Sequence, residues 1–149
     1  MRKYGILSLF VLSLFISTAL AQKIHKSKVP SLVINSFHQQ FPRAYDVEWK
    51  MEQNIYKVEF ETGIRGHDHT VWYDPSGKII RHKEEMTKHQ LPDAVLSKLN
   101  AEYKNYRISD VKKITEGNKI LYTLELKKAY EEWKISIDSD GTILSKIPD

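Results

Sequence analysis

Val29-Pro30-Ser31-Leu32-Val33 is answered 62 residues later by Leu91-Pro92-Asp93-Ala94-Val95, and at the same offset Leu99 and Tyr103 match Phe37 and Phe41. Farther on, Tyr56-Lys57-Val58-Glu59-Phe60 matches Tyr122-Thr123-Leu124-Glu125-Leu126 at an offset of 66. The turn Asp74-Pro75-Ser76-Gly77-Lys78-Ile79 then matches Asp138-Ser139-Asp140-Gly141-Thr142-Ile143 at 64. The order is kept while the offset drifts, as loop insertions produce, so the chain reads as one supersecondary unit written twice.

Each copy opens on a helix. Pro30 and Pro92 suit the first helical position, where a missing N–H is not needed. Val33, Ile34, Phe37 and Phe41 recur at three-to-four spacing until Pro42, and Val95, Leu96, Leu99 and Tyr103 repeat the pattern. Strands follow. Val47, Trp49 and Met51 alternate with Glu48 and Lys50, Tyr56, Val58 and Phe60 with Lys57 and Glu59, and His69, Val71 and Tyr73 with Thr70 and Trp72. In the second copy Ile108 to Thr115 leads to Tyr122, Leu124 and Leu126, then to Trp133, Ile135 and Ile137, which places Trp133 in the core. Gln53-Asn54 and Gly117-Asn118 read as tight turns, and the Asp-Pro-Ser-Gly and Asp-Ser-Asp-Gly segments as further hairpins. Lys78 to His82 and Thr142 to Lys146 close the units.

The predicted fold is therefore α+β: two tandem helix-β-β-β-β units, residues 30–90 and 91–149, in an antiparallel sheet with helices on one face. Residues 22–29 read as a linker. Ahead of them, Arg2 and Lys3, the apolar run from Ile6 to Ile16, and Ala19 and Ala21 at the −3 and −1 positions form a signal peptide over residues 1–21. Cleavage is expected after Ala21, which makes the protein periplasmic or secreted, with no membrane span once the signal is removed. Without Arg2 and Lys3 the chain keeps 21 basic residues against 19 acidic ones, a net charge of +2 with the signs interspersed, so no nucleic-acid partner is expected. The absence of cysteine removes disulfides and thiol nucleophiles, leaving apolar burial to hold the fold.

The helix ending in Phe41-Pro42, Val47-Glu48-Trp49, the strand Tyr56 to Phe60 and the hairpin Tyr73 to Lys78 resemble the exported PepSY-like family. So do Leu91-Pro92, Tyr122 to Lys127 and Asp138 to Gly141. The resemblance spans the mature chain and implies a fold like that of beta-lactamase inhibitor proteins, with a non-catalytic role in binding or inhibiting a protein. The second copy lacks a tryptophan matching Trp49, and Lys112 or Lys113 occupies that region.

No GxSxG, HExxH, phosphate-loop or Cys–His signature is present, and neither an enzyme nor a cofactor is expected. Asp138-Ser139-Asp140-Gly141 lacks the later ligands of a calcium loop and reads as a turn. The expected function is protein binding, as a monomer, to an unidentified partner in the envelope or outside the cell. Trp72, on the face away from the helices, is the expected anchor, surrounded by Lys50, Lys57, Glu59, Thr70, Glu125, Lys127 and Lys134. The alternative is a small-ligand or metal-binding envelope sensor or carrier using His67, His69 and His82. Pairing across the Asp-Pro-Ser-Gly turn would set His82 opposite His69, and a one-residue bulge would turn His82 away. An adaptor with no discrete ligand is the third reading.

Overall fold

Pro30 and Pro92 each cap a ten-residue helix, α1 (Ser31–Gln40) and α2 (Asp93–Glu102), so the helices start one residue later than the prolines suggested. In the computed structural model, which describes residues 21–149, Val33 and Phe37 of α1 and Val95 and Leu99 of α2 are buried. These are the apolar positions of the three-to-four spacing. Both helices end as the Phe41 and Tyr103 N–H groups donate to the Phe37 and Leu99 carbonyls, 2.8 Å each.

Among the described residues, nine strands form one antiparallel sheet in strict chain order. They are β1 (Gln22–Lys23), β2 (Tyr45–Glu52), β3 (Ile55–Thr62), β4 (His67–Tyr73), β5 (Ile79–Glu85), β6 (Arg107–Glu116), β7 (Lys119–Lys128), β8 (Glu131–Asp138) and β9 (Ile143–Pro148). Helix α1 precedes β2 to β5, and α2 precedes β6 to β9. Residues 22–29 are not a free linker. β1 pairs with β2 (Gln22 with Met51), a short 3-10 turn follows over Lys26–Lys28, and Val29 is buried in the first core. An apolar residue two places before a helix is well placed to seal that helix's end. The expected signal peptide falls almost wholly outside the described residues.

Strand lengths explain the drifting offsets. β6 and β7 have ten residues each where β2 and β3 have eight. Four extra residues carry the offset from 62 to 66. The next connection then shortens from four residues between Thr62 and His67 to two between Lys128 and Glu131, returning the offset to 64.

Two buried clusters lie under the helices. Val33, Phe37, Trp49, Val58, Phe60, Val71 and Tyr73 form one, and Val95, Leu99, Val111, Tyr122, Leu124, Leu126, Ile135 and Ile137 the other. Pairing of Val71 with His82, His82 with Thr115 and Thr115 with Ile120 places both clusters on one face of the sheet. Phe37 meets Trp49 and Phe60 edge-on, with ring centres 5.4 and 5.1 Å apart. Such contacts add about 0.5–1.5 kcal/mol beyond area burial. In the second copy the bulge between Ser109 and Lys112 matches that between Tyr45 and Glu48, so Lys113, facing buried Tyr122, stands where Trp49 faces Val58, and Val111 is the buried residue of that segment. Trp133 sits at the rim of its cluster, half-buried, with the Lys146 ammonium 4.3 Å above its ring. Its place near the end of β8 opposite Pro148 keeps it out of the centre.

One device braces each of the β4–β5 and β8–β9 turns and another seats it on its helix. The Asp74 carboxylate accepts hydrogen bonds from the backbone N–H groups of Ser76 (2.8 Å) and Lys78 (3.1 Å) and from the Ser76 hydroxyl. Asp138 does the same for Asp140 and Thr142. The glycine of each turn, at positive φ, packs on the first turn of its helix: Gly77 against the Leu32 carbonyl, Gly141 against that of Ala94. A turn that must be both left-handed and in backbone contact admits only glycine.

Candidate functional site

The face away from the helices is built from rows of side chains running across the strands. One row is Lys50, Lys57, Trp72, Arg81 and Glu116, each paired with the next. The neighbouring row is Glu48, Glu59, Thr70, Lys83, Ile114 and Leu121. Trp72 thus lies where alternation placed it, but its ring is flanked by the Lys57 ammonium (5.6 Å) and the Arg81 guanidinium (5.0 Å) and is half-buried. Thr70 departs from the expectation of an exposed contact residue: it is buried, as is Ile114 in the same row. The long stems of the charged neighbours in the row and beside it cover these shorter side chains.

Ion pairs knit the first part of this face. Lys50 bonds Glu59 (2.6 Å) and Glu48 (3.1 Å), and Lys57 bonds Glu59 (2.9 Å). Burial acts to raise the Glu59 carboxyl, but hydrogen bonds from Lys50 and Lys57 outweigh it and hold the group below the usual carboxylate range. Glu59, then Glu48, keeps the Lys50 ammonium above its ordinary value. Glu125, Lys127 and Lys134 lie on the same face but on β7 and β8, with β5 and β6 between: Lys127 pairs with Glu125 at 3.0 Å, and Lys134 with Asp149. The expected contact residues therefore form two groups, not one.

At the first group, running from β2 to β6, lies a groove of about 450 Å³, lined by Glu48, Glu59, Glu61, Asp68, Thr70, Lys83, Glu85 and Lys112 among others. Burial depresses the Lys83 ammonium, reinforced by Lys112, Lys57 and Arg81 nearby. At one end Glu61 faces Asp68 across the β3–β4 ladder, and the Glu85 carboxylate accepts the Asp68 N–H at 3.5 Å. Sequence reasoning missed Arg81, Lys83 and Ile114, because the register joining β5 to its neighbours was needed to bring them onto this face.

The histidines occupy the helix face. His69 faces Glu84 and His82 faces Val71, not His69 as expected. Tyr73 pairs with Ile79 instead of Lys78, and Ile80 is then an extra residue before Arg81 meets Trp72. These two offsets add to an even shift, so His82 stays on the side of His69. His69 Nδ1 and His82 Nε2 are 3.1 Å apart, and Thr62 Oγ1 lies 2.8 Å from His69 Nε2. Phe60 stacks on His69, and Phe41 meets His82 edge-on. Burial lowers both imidazoles below the ordinary histidine value, against the opposing pull of Glu84. His67, opposite Thr62, lies at the end of the strand and is not brought into this cluster.

A nine-stranded meander bearing two helices on one face defines an α+β fold of the beta-lactamase-inhibitor-protein-like kind. A family model described as "Putative beta-lactamase-inhibitor-like, PepSY-like" matches residues 17–81 and 56–145, and the chain belongs to this PepSY-like family. A solved structure from Bacteroides eggerthii, described as a "putative periplasmic" protein, is similar with a TM-score of 0.66 at 18% identity, covering 80% of this chain and 88% of that one. A BLIP-like protein from Bacteroides fragilis is similar with a TM-score of 0.64 at 18% identity, over 80% and 86% of the two chains. A search among curated proteins finds no match to this chain. Among the described residues, no helix is long and apolar enough to cross a membrane.

Proposed function

We propose that the protein is an exported, non-catalytic binding module that recognises another protein through the open face of its sheet. The observation that carries this reading is Trp72, half-buried between Lys57 and Arg81 on the face away from the helices, beside the acid-ended groove. Tryptophan held in place by its neighbours offers a large contact area at little entropy cost. Charges with fixed partners suit protein recognition better than an apolar small-molecule pocket. The carboxylates of Glu61, Asp68 and Glu85 favour a partner segment carrying a basic side chain.

Export with cleavage after Ala21 is part of this reading, supported by the leader's pattern and by the periplasmic description of the Bacteroides eggerthii relative. So is the division into two copies of one unit, supported by the repeated element order and by the strand lengths that account for the offsets. Inhibition is the form of binding that the family description favours.

The test is crosslinking and capture from the envelope fraction of the producing cell, with wild type, Trp72→Ala and an Asp68→Asn/Glu85→Gln double variant. Partner capture should weaken by about 30-fold or more in Trp72→Ala, the equivalent of about 2 kcal/mol. A folded Trp72→Ala protein that captures the same partner with unchanged affinity would place the interface elsewhere.

A further inference from the structure

His69 and His82 present nitrogens to each other across β4 and β5, and Glu84, two residues beyond His82, projects from the same side of the strand. One ligand atom from each of the three lies within 4.8 Å of the other two. Zinc–nitrogen and zinc–carboxylate bonds of about 2.0–2.2 Å require tetrahedral ligands about 3.3 Å apart, close to the 3.1 Å between the histidine nitrogens. We propose that His69, His82 and Glu84 form a binding site for a borderline divalent transition-metal ion of the zinc class.

The surroundings suit that ion. Thr62 Oγ1 occupies the outer nitrogen of His69, Nε2, which leaves Nδ1 as the atom facing the site. A neutral imidazole held through its far N–H is the usual arrangement around such ions. Phe41 and Phe60 wall the histidines on the helix side, fixing the rings and limiting solvent. Two imidazoles and one carboxylate select zinc-class ions over calcium or magnesium, which take oxygen ligands. With three protein ligands, the fourth position stays open to water or to a group from a partner.

The site also contains its competitor. The Lys113 ammonium bonds the Glu84 carboxylate at 3.0 Å, and the two residues face each other across the β5–β6 ladder. The ammonium competes with an arriving cation for the carboxylate's negative charge. With the His69 proton held at Nε2 against Thr62, His82 Nε2–H donates the hydrogen bond to His69 Nδ1 in the metal-free protein, and when the metal takes that place the His82 proton moves to its outer nitrogen, Nδ1. The site lies on the sheet face opposite Trp72, so it stands independently of the partner surface.

Calorimetric titration of the untagged, metal-free protein with Zn²⁺ tests the proposal. One equivalent should bind saturably, and nitrogen-detected NMR should show His69 Nδ1 and His82 Nε2 as the metallated atoms. Glu84→Gln and His82→Gln should each weaken binding by more than about tenfold, since losing even an outer partner costs about 10- to 100-fold. His67→Ala should change it by less than about threefold, as His67 is no ligand. Lys113→Met should tighten binding, by about threefold or more, because the competing cation is gone. No saturable binding, metallation at other nitrogens, loss of binding in His67→Ala, or wild-type affinity in Glu84→Gln would each overturn the assignment. If a ligand variant fails to fold, Lys113→Met decides alone: unchanged affinity overturns the site.

Discussion

A Cβ placed on Gly77 would sit 2.8 Å from the Leu32 carbonyl oxygen, so the β4–β5 turn touches the backbone of helix α1 directly. The residue is also left-handed, with φ of 85°. Gly77→Ala should therefore destabilise the protein by at least about 2 kcal/mol, combining about 1–2 kcal/mol of backbone strain with the forced retreat of the helix. Gly117, with φ of 55° and nothing within 4 Å of its Cβ position, supplies the control. Gly117→Ala should cost only about 1 kcal/mol. Equal urea midpoint shifts for the two variants would show that the Leu32 contact is not restrictive.

Aromatic truncations should rank by depth. Phe37, buried in the first core, should cost about 3–5 kcal/mol as Phe37→Ala. Trp72→Ala should cost less than about 2 kcal/mol, since it loses two cation contacts of about 0.5–1 kcal/mol each and leaves no enclosed cavity. Trp133→Ala should fall between them, because only part of that ring is buried. Chemical denaturation of the three variants checks the order, and a Trp72 variant as costly as Phe37→Ala would make Trp72 a core residue.

Acid should reveal Asp74. Its hydrogen bonds from Ser76 and Lys78 hold the carboxyl below its ordinary value. A carboxylate depressed in the folded state contributes stability that is complete above its unfolded value of about 4 and is lost as pH falls through its folded value. Asp74→Asn keeps the acceptor oxygen and removes the charge. Wild type should therefore lead the variant at pH 7 and lose that lead below about pH 4. A stability difference that stays constant from pH 7 to pH 3 would remove Asp74 as a titrating contributor.

Most of the fold was legible because period-two alternation assigns faces without knowing the register. Val71 and Tyr73 are buried and Trp72 lies opposite, as their neighbours in sequence required. Register was not legible. The extra residue Ile80, and Leu144 at the same place in β9, arise from how backbone twist is relieved beside a turn, and no side chain announces it. That is why His82 was paired with the wrong residue, and why Glu84, unremarkable in sequence, joined the histidines in place of His67. Thr70 lies on the expected face but is buried, because neighbours on other strands cover it, which a strand's own pattern does not encode.

The strict succession of strands has a kinetic meaning. Every ladder joins consecutive strands, and all except β1–β2 and β5–β6, which span a helix, close over a short turn at little entropy cost. Each apolar cluster can assemble from its own helix and strands, and among the described residues the β5–β6 ladder is what joins the two halves of the sheet. Such a chain should fold quickly from either end for a protein so rich in strands. Its weakest seam against local opening is then the midline, where amide hydrogens of β5 and β6 should exchange before those of β3 or β7.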